Sequence, residues 1–104
     1  MEELDEATLY GVIGQMLAAP GKREELIAIL LEGTGAMPGN LGYTIFRDLR
    51  DANAIWITEV WTSAEAHKAS LSLPSVQAAI AKGRPIIAGF GTRAEVEPVA
   101  GNRG

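Results

Sequence analysis

The eight residues Ala54-Ile55-Trp56-Ile57-Thr58-Glu59-Val60-Trp61 constrain the fold more than any other segment of this chain. β-Branched and aromatic side chains dominate the run, which predicts a strand. Side chains alternate along a strand, so Trp56, Thr58 and Val60 point one way while Ile55, Ile57, Glu59 and Trp61 point the other. Both faces are largely apolar. Such a strand needs a cover on each side, and one layer of helices supplies only one. The second face is therefore expected to pack on another subunit, in a homodimer with facing sheets.

The flanking sequence supplies the rest of a sheet. Leu9 to Leu17, with Tyr10, Val12, Ile13 and Met16, reads as a first strand that stops at Ala19-Pro20-Gly21. Lys22-Arg23-Glu24-Glu25 opens a helix in which Leu26, Ile27, Leu30, Leu31 and Thr34 recur at helical spacing, ending in the glycine-rich stretch 33–39. From Leu41 to Leu49, Tyr43, Ile45 and Arg47 alternate with Thr44, Phe46 and Asp48. The turn Arg50-Asp51-Ala52-Asn53 then makes a hairpin with the Ala54 to Trp61 strand. Thr62-Ser63-Ala64-Glu65 fits a capping box with Thr62 as the cap, so a second helix begins there. Pro74 breaks that helix near Leu73 and restarts it, and the run continues to about Lys82 with Val76, Ala79 and Ile80 facing inward. Gly83-Arg84-Pro85 stops it, and Ile86 to Val96 reads as a fourth strand with Gly89 and Gly91 as flexible or bulge positions. The order β-α-β-β-α-β predicts an α+β, ferredoxin-like fold with two helices on one face of a four-stranded antiparallel sheet. Residues 1–97 read as one domain, as the length of 104 residues suggests, and 98–104 as a mobile tail.

Composition narrows the function classes. With 47% hydrophobic residues the chain has enough apolar material for a core. A net charge of −4, with nine Lys and Arg scattered along the chain, makes nucleic acid a poor partner. No apolar segment approaches the ~18 residues of a membrane span, so no membrane contact is expected. The acidic start Met1-Glu2-Glu3-Leu4-Asp5-Glu6 lacks the positive end and apolar run of a signal peptide, and a cytoplasmic protein is the expectation. One histidine and no cysteine leave no metal constellation, no thiolate and no recognisable triad.

Chemistry then falls to the junction from Glu59 to His67. His67 sits in the second turn of the second helix, and a neutral imidazole with a reference pKa of about 6.5 can take a proton from a phenol. It reads equally as a half-exposed helix residue bonded to its neighbours. Glu59 shares a strand face with Trp61, and a carboxylate buried there needs a partner, for which His67 and Arg84 are the candidates. Glu59 either orients His67 or accepts bonds from a helix end or a dimer arm. Trp61 either stacks on an aromatic substrate or is ordinary core. Tyr43 and Tyr10 each donate to a substrate oxygen or simply pack. Gly33-Thr34-Gly35-Ala36 and Gly89-Phe90-Gly91 lack the strand-turn-helix setting of a phosphate loop and read as turns and bulges.

With these residues in place, the chain resembles the antibiotic biosynthesis monooxygenase family, including small quinol monooxygenases. The likeness spans about residues 9 to 97. It lies in Pro20-Gly21-Lys22-Arg23-Glu24-Glu25-Leu26, Met37-Pro38-Gly39, Glu59-Val60-Trp61, His67 and Leu73-Pro74, taken in order and spacing. The resemblance implies a dimeric α+β barrel with a pocket between sheet and helices in each subunit. It further implies oxygenation of electron-rich phenols or quinols by O₂ with no metal or flavin. Trp61 falls where members have a pocket tryptophan, and His67 where a polar ring faces the same cavity. Two departures stand out. Some family oxygenases use an asparagine on the first or third strand, whereas here the first strand offers only Gln15 and the third no amide. Haem-degrading relatives place an iron-ligating histidine where this chain has Leu71 to Val76, which points away from haem degradation.

The reading that results is a cofactor-independent monooxygenase acting on a quinol or polycyclic phenol. His67 is the catalytic base, and Trp61, Tyr43 and Glu59 form the substrate site. Proton-transfer chemistry of the isomerase or cyclase kind, and a dimer that binds a small ligand without transforming it, are the rivals.

Overall fold

The computed structural model describes residues 9–99. Of the expected tail, residues 100–104 lie outside the described residues, as does the acidic start 1–6. Four strands form one antiparallel sheet: β1 (Tyr10–Ala18), β2 (Asn40–Arg47), β3 (Ala54–Trp61) and β4 (Ile87–Val96), in the spatial order β2-β3-β1-β4. Three helices complete the chain: α1 (Arg23–Gly33), α2 (Ala64–Ser70) and α3 (Pro74–Gly83). This is the ferredoxin-like α+β arrangement, with the second helical region divided in two.

The two-faced strand β3 lies inside the sheet, where it pairs with both β1 and β2. Leu26 of α1 and Ile55 of β3 are fully buried and pack with Ala18 and Ile57, flanked by Met16, Leu30 and Ile45. Each large apolar side chain so buried stabilises the fold by roughly 1.5–3 kcal/mol. The face carrying Ile55, Ile57 and Trp61 thus meets the helices. On the other face, Ile13, Phe46 and Val96 remain 38–48% exposed, beside the half-buried Trp56 and Val60. Nothing in this chain covers them among the described residues.

Two tight contacts set the helices on the sheet. Gly33, at the end of α1, approaches α3 so closely that a Cβ there would lie 2.5 Å from the Ala79 Cβ. Arg23 ties the start of α1 to the β2–β3 turn by donating to the carbonyls of Asp48, Asp51 and Ala54.

The structure corrects several expectations. The α2 cap is Ser63, whose hydroxyl accepts from the Ala66 amide at 3.0 Å, and not Thr62. Ser63 has the extended backbone that a cap requires, and with the cap moved by one residue the third helical position is Ala66, which has no carboxylate to close a box. β2 ends at Arg47, earlier than Leu49, because Asp48 turns back to accept from the amides of Arg50 and Asp51. Ile80 is 38% exposed, while Val76 and Ala79 make the inward face of α3. Arg84-Pro85-Ile86 forms a short 3₁₀ turn leading into β4. The break at Leu73-Pro74 falls as expected, with Leu73 extended ahead of the proline.

In β4 the register shifts: Arg93 faces Gly14 and Phe90 faces Met16, so three steps of β4 match two of β1. The bulge lies beside Gln15, whose side-chain oxygen would stand 2.0 Å from any Cβ on Gly91. One extra residue reverses the alternation and brings Phe90 and Arg93 to the same, helix-facing side.

Candidate functional site

Strand β3 presents Glu59 and Trp61 on its helix-facing side, two residues apart. The Trp61 indole Nε1 donates to Glu59 Oε1 at 2.9 Å. The same oxygen lies 3.9 Å from His67 Nε2, too long for a hydrogen bond and within reach of an ion pair when the imidazole is protonated. Glu59 and His67 are only 16% and 18% exposed. A carboxylate held this far from water needs such donors, and a hydrogen bond to a charged acceptor contributes about 1.5–3 kcal/mol.

His67 arrives from α2, and the placement of that helix depends on Gly39. Gly39 has φ +83°, and a Cβ there would stand 2.7 Å from the Ala66 Cβ. Its carbonyl accepts from the Thr62 amide at 2.9 Å, which anchors the approach to α2. The imidazole then packs between Tyr10 and Trp61, each with ring centroids 5.4 Å away, tilted at 43° and edge-on at 72° respectively.

Tyr43 faces Glu59 across the β2–β3 pair. Burial, with the nearby Glu59 carboxylate adding to it, pushes the Tyr43 phenol far above its ordinary value. Tyr10 donates its hydroxyl to Glu95, and that bond raises its pKa, partly offset by the Arg93 guanidinium nearby.

Next to this cluster, between β1, β3 and β4, opens a cleft of about 210 Å³. Val12, Gly14 and Met16 line it from β1, Ile57 and Glu59 from β3, and Phe90 and Arg93 from β4. Of the four residues expected at the site, Glu59 alone lines this cleft. Trp61, 1% exposed, and His67 contact Glu59 without lining it, and Tyr43 flanks Glu59 on β2. Arg84, the alternative partner for Glu59, instead lines a neighbouring cleft of about 340 Å³ with Ile80, Ile87 and Phe90.

The residues that sequence reasoning passed over are Gly14, Phe90 and Arg93. A glycine in mid-strand and the Gly89-Phe90-Gly91 bulge were the available signals, since both mark places where a strand makes room. Among the described residues, no group of three or more His, Asp or Glu is placed to hold a metal ion, and no helix is long and apolar enough to cross a membrane.

The model of the antibiotic biosynthesis monooxygenase family matches residues 9–82. A crystal structure from Chloroflexus aurantiacus J-10-fl, named for the same family, is 59% identical, covering 91% of this chain and 97% of its own, with a TM-score of 0.89. Another named for the family, from Caulobacter crescentus CB15, shares the fold at 23% identity, with 95% and 97% of the chains covered and a TM-score of 0.80. A Methanosarcina mazei Go1 protein shares it at 12% identity, with 91% and 97% covered and a TM-score of 0.76. No curated protein matches the sequence.

Proposed function

The chain belongs to the antibiotic biosynthesis monooxygenase family, and from that premise we propose that it oxidises a quinol or polycyclic phenol with O₂, without a cofactor. The observation that carries this reading is Glu59, a carboxylate on the wall of an otherwise largely apolar cleft, fixed by Trp61 Nε1 and backed by His67.

Glu59 is the proton acceptor. Its carboxylate takes the proton of the substrate hydroxyl, and the imidazole 3.9 Å behind it packs against Glu59 and helps hold it in place, so His67 is a positioning residue that works through Glu59. Loss of that proton makes the ring an electron-rich phenolate, which passes one electron to O₂. The resulting radical pair joins at carbon to form a peroxide, which loses water. Overall a quinol and O₂ yield a hydroxyquinone and water: one oxygen atom enters the ring, the other leaves as water, and the substrate supplies all four electrons. Val12, Ile57 and Phe90 exclude water from the phenolate, and Tyr43 borders Glu59 as a phenol that is neutral at ordinary pH and, with its pKa raised by burial, does not compete for the proton. The active unit is a cytoplasmic homodimer whose subunits meet through the open sheet face.

The test is quinone formation from menadiol or an anthrone-like phenol with and without O₂, after subtraction of spontaneous oxidation. An oxygen-dependent rate is expected, and Glu59→Gln should lower kcat about 10²- to 10⁴-fold, the usual worth of a positioned base. Equal aerobic and anaerobic rates would overturn the proposal. Proton transfer alone, the second reading that Glu59 supports, would instead put solvent deuterium into recovered substrate.

A further inference from the structure

The cleft beside Glu59 carries opposite charges on its two flanks, with Glu59 on β3 and Arg93 on β4, and apolar surface between them. Strands β3 and β4 both pair with β1, so the two groups rise from strands two inter-strand steps apart, about 10 Å. That is the scale of a two-ring aromatic molecule. The floor between them is Gly14, which faces Ile57 on one side and Arg93 on the other. No neighbour demands a glycine there: a Cβ would meet only the Arg93 Cγ, at an ordinary 3.9 Å. A mid-strand glycine weakens a strand, and its use here is the space it leaves above the sheet. The β4 bulge adds a second device, since without its extra residue Phe90 and Arg93 would point to opposite faces.

We propose that this cleft selects aromatic substrates that carry a carboxylate, with Arg93 pairing the carboxylate, Phe90 packing on the rings over Gly14, and the ring hydroxyl directed to Glu59. A neutral phenol would satisfy Glu59 and leave Arg93 without a ligand contact. An aromatic acid lacking the hydroxyl would pair with Arg93 alone. Only a hydroxyaryl carboxylate matches both ends. A guanidinium is suited to this task because its planar donors match a carboxylate bidentately. The idea rests on the oxygenase reading only for what happens to the substrate afterwards, since recognition itself needs no turnover.

The experiment is calorimetric titration of the full chain with 6-hydroxy-2-naphthoate, its methyl ester and 2-naphthol under nitrogen. The acid is expected to bind about tenfold more tightly than the ester or the naphthol, as a partly exposed charge-assisted pair allows. Arg93→Gln should bring the three affinities together by weakening the acid alone, Arg93→Lys should restore part of the preference, and Gly14→Val should weaken all three. Equal affinities in the unaltered protein, a preference that survives Arg93→Gln, or binding indifferent to Gly14→Val would overturn the proposal. If the acid preference is found and the same mixtures, once aerated, consume no O₂, the oxygenase reading fails while the carboxylate site stands.

Discussion

Tyr43 shows how much of the site is set by the environment of single residues. Its phenol resists ionisation because burial would leave the phenolate poorly hydrated, and the Glu59 carboxylate beside it adds to that cost. Its folded pKa lies above the unfolded value near 10.0, so the folded state keeps a proton that the unfolded chain gives up. Stability from this group is therefore complete below pH 10 and declines as pH rises beyond it. The expected outcome is a Tm that falls above pH 10 and falls less steeply in Tyr43→Phe, read by thermal melts from pH 8 to 11. An equal slope in both proteins would place the hydroxyl in water. The period of two along β3 was enough to put Glu59 and Trp61 on one face. It could not tell that Trp61 would spend its indole N–H on Glu59 and be closed off from the cleft, because that depends on how far α2 leans over the sheet.

At the scale of elements, boundaries moved wherever two neighbouring residues offered similar chemistry. Thr62 and Ser63 both carry a hydroxyl suited to capping, and each would start a helix in isolation. Thr62 is committed to the sheet side, its amide bonded to the Gly39 carbonyl, so Ser63 is the residue free to cap α2. Ser63→Ala should therefore cost about 1 kcal/mol, and Thr62→Ala less than about 0.5 kcal/mol, in urea unfolding. The reverse order would return the cap to Thr62. The bulge in β4 is a comparable case: the glycines announced a break in regularity, and only pairing against β1 shows that it reverses the alternation at Phe90 and Arg93.

For the whole molecule, the open sheet face is the main unresolved demand of the fold. Ile13, Phe46 and Val96 stand on it beside Trp56 and Val60, and the proposed homodimer would bury them sheet against sheet. A stable interface of that kind needs at least about 1,000 Å² in total. Sedimentation at micromolar concentration should give twice the chain mass of 11.0 kDa. Replacing Ile13 and Phe46 together by Asp should yield the single-chain mass, because two charges at the centre of an apolar interface lose their water. A monomeric unaltered protein would leave this face without the partner argued for it.

The amino-acid sequence by itself determined the element order, the antiparallel sheet and the two-faced character of β3, because hydrophobic period, turn residues and proline act within a few residues of one another. It also singled out Glu59, Trp61 and His67, since they are close along the chain. The tertiary structure decided which of them meets open space. Glu59 faces a cleft completed by Gly14 of β1 and by Phe90 and Arg93 of β4, residues separated from it by 30 or more positions and joined to it only through strand pairing. Such a site depends on register, and a shift of one residue in β4 would send Arg93 to the other face.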